Sequence, residues 1–228
     1  MLAYWNGFVQ LFFPPLCCCC DAPLMHQEVV LCSSCLYHLP FSGATDLGAP
    51  AIEAKMRGRL VIRSAYSCLH FTQSSLTQQL IHHLKYRNQP DIGLYMGRWL
   101  GKCMLANQPC LAYDFIVPIP LHASKLRKRG YNQSLFFAQG LSQILQVPIN
   151  TKDFIRQKAT VSQTTLGKLD RYANVEDVFF CKRKALFADK HLLLVDDVLT
   201  TGSTLIAAGN VLLKEAKCQL SVAVIAHV

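Results

Sequence analysis

The stretch Leu192-Leu193-Leu194-Val195-Asp196-Asp197-Val198-Leu199-Thr200-Thr201-Gly202-Ser203-Thr204 decides the fold. Its four leading apolar residues read as a strand buried on both faces, as in a parallel sheet. Two carboxylates follow, then small hydroxyl residues around Gly202, then a helix from Ser203 to Lys217. Open α/β sheets bind ligands at such strand ends. The Thr200 to Thr204 turn directs backbone N–H groups, hydroxyls and a helix N-terminus at one point, which suits a phosphate dianion. Gly202 lets the backbone approach closely. Asp196 and Asp197 can accept hydrogen bonds from vicinal sugar hydroxyls or touch Mg²⁺. The plainer alternative is that both carboxylates only cap the turn and that Ser203 or Thr204 only starts the helix. Acidic pair, hydroxyl turn and buried strand together favour ligand binding.

Outward from this stretch, Leu220 to Ala226 reads as another strand. Upstream, Val61 to Leu69 reads as a strand, and Ser75 to Tyr86 as a helix with Leu76, Leu80, Ile81 and Leu84 on one face. Asp91 to Ala106 and Gln133 to Gln146 are further helices, and Phe115-Ile116-Val117 is a short strand. Strands alternating with helices predict an α/β protein with a parallel sheet covered on both faces. No internal repeat is visible. Pro40 to Pro50 is rich in Gly, Ala, Ser and Thr and reads as a linker, so residues 1–50 form a small module ahead of a main domain at 51–228. Prolines flank Ile119 after the short strand, consistent with a ligand loop or a plain strand exit. Lys125, Arg127, Lys128 and Arg129 follow, either neutralising anions or forming a solvated basic face. Tyr131, Asn132 and Gln133 either stack on and hydrogen-bond a base or anchor the next helix. Lys85 and Arg87 close a helix, where cations favour the macrodipole, and a ligand role is the lesser alternative. His82 and His83 read as surface or packing residues. Arg156, Lys158, Gln163, Arg171 and Asn174 form a basic stretch that is either a hood over the site or disordered.

The chain has 228 residues, 51% hydrophobic and 16% charged, with a net charge of +9. These values exclude a disordered chain and a disulfide miniprotein. Mean hydropathy is +0.22, yet no uninterrupted apolar run reaches the roughly 18 residues of a spanning helix, so no membrane span is predicted. Before Lys55 there is no Lys or Arg, and Asp21, Glu28, Asp46 and Glu53 give that segment −4, leaving +13 on residues 55–228. Such a body suits nucleotides, phosphates or single-stranded nucleic acid, although solubility explains part of it. Met1 to Leu16 lacks the positive n-region and small-residue cleavage site of a secretory signal, so the reducing cytoplasm is expected. Of eleven cysteines, six lie between 17 and 35. Cys17 with Cys20 and Cys32 with Cys35 each have C-x-x-C spacing, which lets four thiolates converge on a tetrahedral Zn²⁺. The alternative is a cluster of buried apolar thiols, the reading given to Cys68, Cys103, Cys110, Cys181 and Cys218. Cys18 and Cys19 are substitute ligands or reactive thiols.

The Asp196 to Thr204 stretch resembles the signature of type I phosphoribosyltransferases, which bind phosphoribosyl pyrophosphate (PRPP). Cys17/Cys20 and Cys32/Cys35 followed by Leu39-Pro40, then Leu84-Lys85-Tyr86-Arg87, Val117-Pro118-Ile119-Pro120-Leu121-His122, Arg127-Lys128-Arg129-Gly130-Tyr131-Asn132-Gln133 and Leu194 to Gly202 resemble the ComF competence family in order and spacing. The resemblance covers nearly the whole chain. It implies a zinc-binding N-terminal module on a type I phosphoribosyltransferase-like fold, Mg²⁺ bound with PRPP or another phosphorylated ribose, and a role in DNA uptake during natural transformation. Single-stranded DNA and DNA-uptake proteins are the partners it suggests. It assigns Asp196 to Thr204 to PRPP, with Asp196 and Asp197 at the reacting ribose, and Ile119, Pro120, Leu121 and His122 to the pyrophosphate through backbone amides. The alternative is an active transferase of nucleotide metabolism, in which a nitrogen nucleophile displaces Mg-pyrophosphate from the ribose; no base-recognition motif names the acceptor. Many relatives carry a second cysteine cluster, whereas residues 36–67 here contain no cysteine, so one metal site is expected.

Overall fold

The computed structural model describes residues 13–42, 50–73, 75–108, 110, 112–158 and 177–228. At its centre is a four-stranded parallel sheet of β1 (Ala65–His70), β2 (Phe115–Pro118), β5 (His191–Leu199) and β6 (Gln219–His227), in the order β1-β6-β5-β2. All three pairings are parallel, with Val195 opposite Pro118 on one side and Ala223 on the other. A second sheet pairs β3 (Phe154–Lys158) with β4 (Asp177–Cys181) antiparallel.

Alternating side chains of the central strands feed two apolar layers, as the pleat requires. Leu193, Val195, Ile116 and Ala223 join α4 (Asp91–Asn107) and α6 (Gln133–Leu145) on one face. Leu192, Leu194, Val117, Val222 and Val224 join α8 (Ser203–Ala216) and α2 (Pro50–Met56) on the other. α4 and α6 meet backbone to backbone: a Cβ on Gly97 would lie 2.2 Å from the Phe137 carbonyl, and one on Gly140 would lie 2.3 Å from that of Leu94. The remaining helices are α1 (Ser33–His38), α3 (Leu76–Tyr86), α5 (Ala123–Arg129) and α7 (Lys184–Phe187). No helix among the described residues is long and apolar enough to cross a membrane.

Several boundaries differ from the sequence expectation. Val61 is 78% exposed and outside β1, which runs Ala65–His70 instead of Val61 to Leu69. β5 continues through Asp196 and Asp197 to Leu199, because the ladder to β6 persists beyond the last apolar residue. The basic run before Gly130 is itself the helix α5, ended by Gly130 at φ 80°. Of the five cysteines read as buried apolar thiols, Cys68, Cys181 and Cys218 are buried, Cys103 is half-buried and Cys110 is exposed. Most of the 40–50 linker and Gln163, Arg171 and Asn174 lie outside the described residues. Arg156 lies on β3, its guanidinium 5.2 Å from the Phe179 ring centroid.

Candidate functional site

The C-terminal ends of β5 and β2 bring the two predicted loops side by side, joined where Ile119 N–H donates to the Val195 carbonyl at 2.9 Å. Asp196 Oδ1 accepts from the Ser134 hydroxyl and from Asp197 N–H, both at 2.9 Å. Its Oδ2 has no hydrogen-bond partner among the described residues. Asp197 is buried; Oδ1 accepts from Val198 N–H at 2.7 Å, and Oδ2 lies 3.3 Å from Lys85 Nζ. Burial, then the neighbouring Asp197 charge, push the Asp196 carboxyl up to about 7 against the hydrogen bonds it accepts. The pair thus carries less negative charge near neutrality than two free carboxylates, and Asp196 gains its full charge only as pH rises through about 7.

The turn after β5 forms a small depression lined by Asp196 and by residues 198 to 205. Gly202 caps α8 at φ 78°, ψ −1°, in the left-handed region, where a residue with a Cβ is strained. Thr201 Oγ1 accepts from Ser203 N–H at 3.4 Å and donates to Ser203 Oγ at 3.2 Å. From α2, Lys55 Nζ donates to the Thr200 carbonyl at 2.9 Å and to the Val228 carbonyl. At the β2 loop, Ile119 is buried and its N–H is engaged, while Pro120 has no N–H to give. Leu121 and His122 are half-buried, and His122 caps α5 by accepting from Ser124 N–H at 3.2 Å. Lys125, Arg127 and Lys128 are exposed on α5. Arg129 donates to Gln133 Oε1 at 3.0 Å and lies 5.4 Å from the Tyr86 ring centroid.

The two readings of the 131–133 segment are now separable. Tyr131 donates its hydroxyl to the Leu84 carbonyl, Asn132 caps α6 and donates to the Ile119 carbonyl at 2.9 Å, and Gln133 is buried. All three serve as anchors. Sequence reasoning missed the partnership of Ser134 with Asp196, and it weighed Lys85 as a helix-dipole cation or a ligand residue without placing it on Asp197. The one cue for Ser134 is its place in the first turn of α6, which says nothing of what that turn faces. Lys55, the first cation in the chain, had no predicted role either. His82 is exposed, and His83 is half-buried beside Gln89 Oε1 at 3.2 Å.

Away from this site, the Sγ atoms of Cys17, Cys20, Cys32 and Cys35 all lie within 4.8 Å of one another, with Cys20 and Cys32 at 3.6 Å. A tetrahedral Zn²⁺ with Zn–S bonds of about 2.3 Å sets its sulfurs about 3.8 Å apart; the cluster fits it. Cys17 Sγ also accepts from Cys32 N–H at 3.4 Å and from Cys19 N–H at 3.5 Å. Burial raises the Cys17 thiol, but these backbone donors outweigh it and bring it to about 7, whereas burial and the neighbouring thiols push Cys35 up, so four thiolates together need the charge of a metal ion. Cys18 and Cys19 stand outside the cluster, their sulfurs 3.9 Å apart.

A family model described as Phosphoribosyl transferase domain matches residues 132–228. The DNA utilization protein YhgH of Salmonella typhimurium is 27% identical over 222 residues, 93% of this chain and 97% of its own. Competence protein F of Haemophilus influenzae is 38% identical over 130 residues, 55% of this chain and 57% of its own. The crystal structure of an adenine phosphoribosyltransferase is similar with a TM-score of 0.42 at 18% identity, covering 63% of this chain and 74% of that one. The chain has a phosphoribosyltransferase-like fold and is similar to proteins named for DNA utilization and for competence.

Proposed function

We propose that the protein binds PRPP, or another phosphorylated ribose, with Mg²⁺ at the end of β5, and that it acts in the cytoplasm in DNA uptake and natural transformation. One observation carries the ligand assignment: the Asp196–Asp197 pair and the hydroxyl-rich turn at the N-terminus of α8 meet beside the β2 loop. Val198, Leu199 and Thr200 to Thr204 receive the 5′-phosphate. The carboxylates take the ribose hydroxyls or Mg²⁺, for which the unpartnered Asp196 Oδ2 is suited. The β2 loop from Ile119 to His122 lies beside the pyrophosphate, and Lys125, Arg127, Lys128 and Arg129 add positive charge nearby. The DNA role rests on relatives named for competence and DNA utilization. Single-stranded DNA is the proposed macromolecular partner, met by the exposed cations of α5. Zn²⁺ in the Cys17, Cys20, Cys32, Cys35 cluster is structural, holding residues 1–50 as a module on the 51–228 domain. Turnover to a nitrogenous acceptor is the second reading; it keeps the same ligand site and predicts base-dependent release of pyrophosphate.

Isothermal titration with PRPP and Mg²⁺, on wild-type protein and on Gly202→Val, tests the site. A Cβ at Gly202 would meet Met56 Cε at 3.1 Å, on a backbone at φ 78° that resists β-branching. Wild type is expected to bind and the variant to lose binding. Wild-type protein that does not bind PRPP, or a folded variant that binds it equally, overturns the assignment.

A further inference from the structure

The ion pair of Lys85 with Asp197 is the feature of the site that ligand binding as described above leaves unused. The two side chains are only 21% and 13% exposed, and the charged atoms lie 3.3 Å apart. Withdrawing both charges from water costs much of what their attraction returns, so such a pair contributes little to stability. It also sits at the strand end where the ligand is placed. Asp197 Oδ1 is held by Val198 N–H and Asp196 Oδ1 by Ser134 and Asp197 N–H, so these bonds fix both carboxylates while Lys85 alone neutralises one.

Lys85 occupies the last turn of α3, between two residues that are tied down. The Leu84 carbonyl accepts the Tyr131 hydroxyl, and the Arg129 guanidinium lies over the Tyr86 ring. The backbone is thereby positioned while the four-carbon stem of Lys85 keeps its rotamers, and an ammonium is a point charge that can change partners without a fixed fork geometry.

We infer that Lys85 is the specificity-determining cation of this site: in the free protein it stands on Asp197 in place of a divalent metal, and it moves to a phosphate of the ligand when metal and ribose hydroxyls take the carboxylates. This rests on the PRPP reading above and adds the selection rule. A divalent cation alone must displace Lys85 and leaves it stranded without a partner. A neutral nucleoside gives Lys85 nothing in return. A ligand that brings both metal and phosphate exchanges one ion pair for two, so metal and phosphorylated ribose bind together.

The test compares wild type with Lys85→Met, which keeps the apolar stem and removes the charge. PRPP with Mg²⁺ is titrated by calorimetry, and Mn²⁺ alone by electron paramagnetic resonance. PRPP binding is expected to weaken about tenfold or more, the scale of one charged hydrogen bond. Mn²⁺ alone is expected to bind about tenfold more tightly once the competing ammonium is gone. If Met at this position prevents folding, Lys85→Gln carries the same two expectations. Weaker PRPP binding without tighter Mn²⁺ binding identifies a merely structural lysine and overturns the exchange. Unchanged values for both overturn any role for Lys85 while leaving the PRPP site in place. Failure of wild-type protein to bind PRPP removes the site and this inference with it.

Discussion

Two carboxylates side by side at the end of a buried strand repel each other, and this protein resolves the conflict unequally. Asp197 has Lys85; Asp196 has only hydroxyl and amide donors, and burial and Asp197 push its carboxyl from 3.8 up to about 7. A carboxyl raised in the folded state lends stability that is full below its unfolded value near 3.8 and is lost as pH rises through about 7. Asp196→Asn keeps an acceptor for Ser134 and abolishes that loss. Its melting temperature at pH 8 should exceed that of wild type by about 3 °C, the equivalent of roughly 1 kcal/mol, and the gap should close toward pH 5. PRPP binding should run the other way, tightening for wild type between pH 6 and 8 and absent in the variant. Melting and titration at several pH values check both, and an Asn variant less stable than wild type at pH 8 contradicts the charge assignment. Asp196, Asp197 and Gly202 were legible because their chemistry is local to one strand, turn and helix. Ser134 and Lys85 were not, since what they touch lies 62 and 112 positions away and no periodicity encodes a tertiary partner.

Among the elements, long periodic helices were the most readable: Asp91 to Ala106 is observed as Asp91–Asn107, and Gln133 to Gln146 as Gln133–Leu145. Shorter elements mislead for identifiable reasons. The end of an apolar run is a poor guide to the end of β5, since backbone pairing with β6 carries on under two carboxylates. β3 and β4 do not read as a pair because 18 residues separate Lys158 from Asp177 and polar side chains interrupt their alternation. The packing of α4 on α6 is also hidden, being written in glycines rather than in large apolar residues. Gly97→Ala would place a Cβ 2.2 Å from the Phe137 carbonyl and 2.9 Å from the Gly140 Cα, backbone atoms that can move only with the whole helix. Overpacking of this kind costs about 3 kcal/mol, so the melting temperature should fall by about 6–10 °C. Because α6 carries Ser134 and its cap Asn132 holds the β2 loop, PRPP affinity should weaken as well. A melt indistinguishable from wild type would mean the two helices stand farther apart.

The whole molecule sets an acidic N-terminal segment against a basic body, +13 over residues 55–228, and this contrast was plain in the sequence. If α5 is the DNA face, replacing Arg127, Lys128 and Arg129 by Ala should weaken single-strand binding and flatten its dependence on log salt by about 0.7 for each phosphate no longer neutralised. Fluorescence anisotropy of a labelled oligonucleotide at several salt concentrations measures this; wild-type affinity and slope in the variant place the DNA elsewhere. How the cysteine module joins the body was not legible, because a run of small residues at 40–50 looks the same whether or not the flanking parts share a core. In the structure they do share one. Leu24, Val30, Leu31, Cys35 and Leu39 belong to the same apolar cluster as Leu80, Leu84 and Met96, Phe41 packs on Trp99 at 4.3 Å, and Pro40 and Ser42 bond to the backbone of β1 at 2.9 Å. A metal that holds the module therefore also holds one flank of the main core, and its binding free energy should enter the stability of the entire chain. Native mass spectrometry is expected to find one zinc per chain, lost in Cys32→Ser or Cys35→Ser. Either variant, or chelation of wild type, should lower a single cooperative melting transition by about 10 °C or more, with near- and far-ultraviolet circular dichroism falling together. An early transition confined to the module, followed by melting of the body at the wild-type temperature, would show instead that residues 1–50 fold apart from 51–228 and that the shared core contributes little.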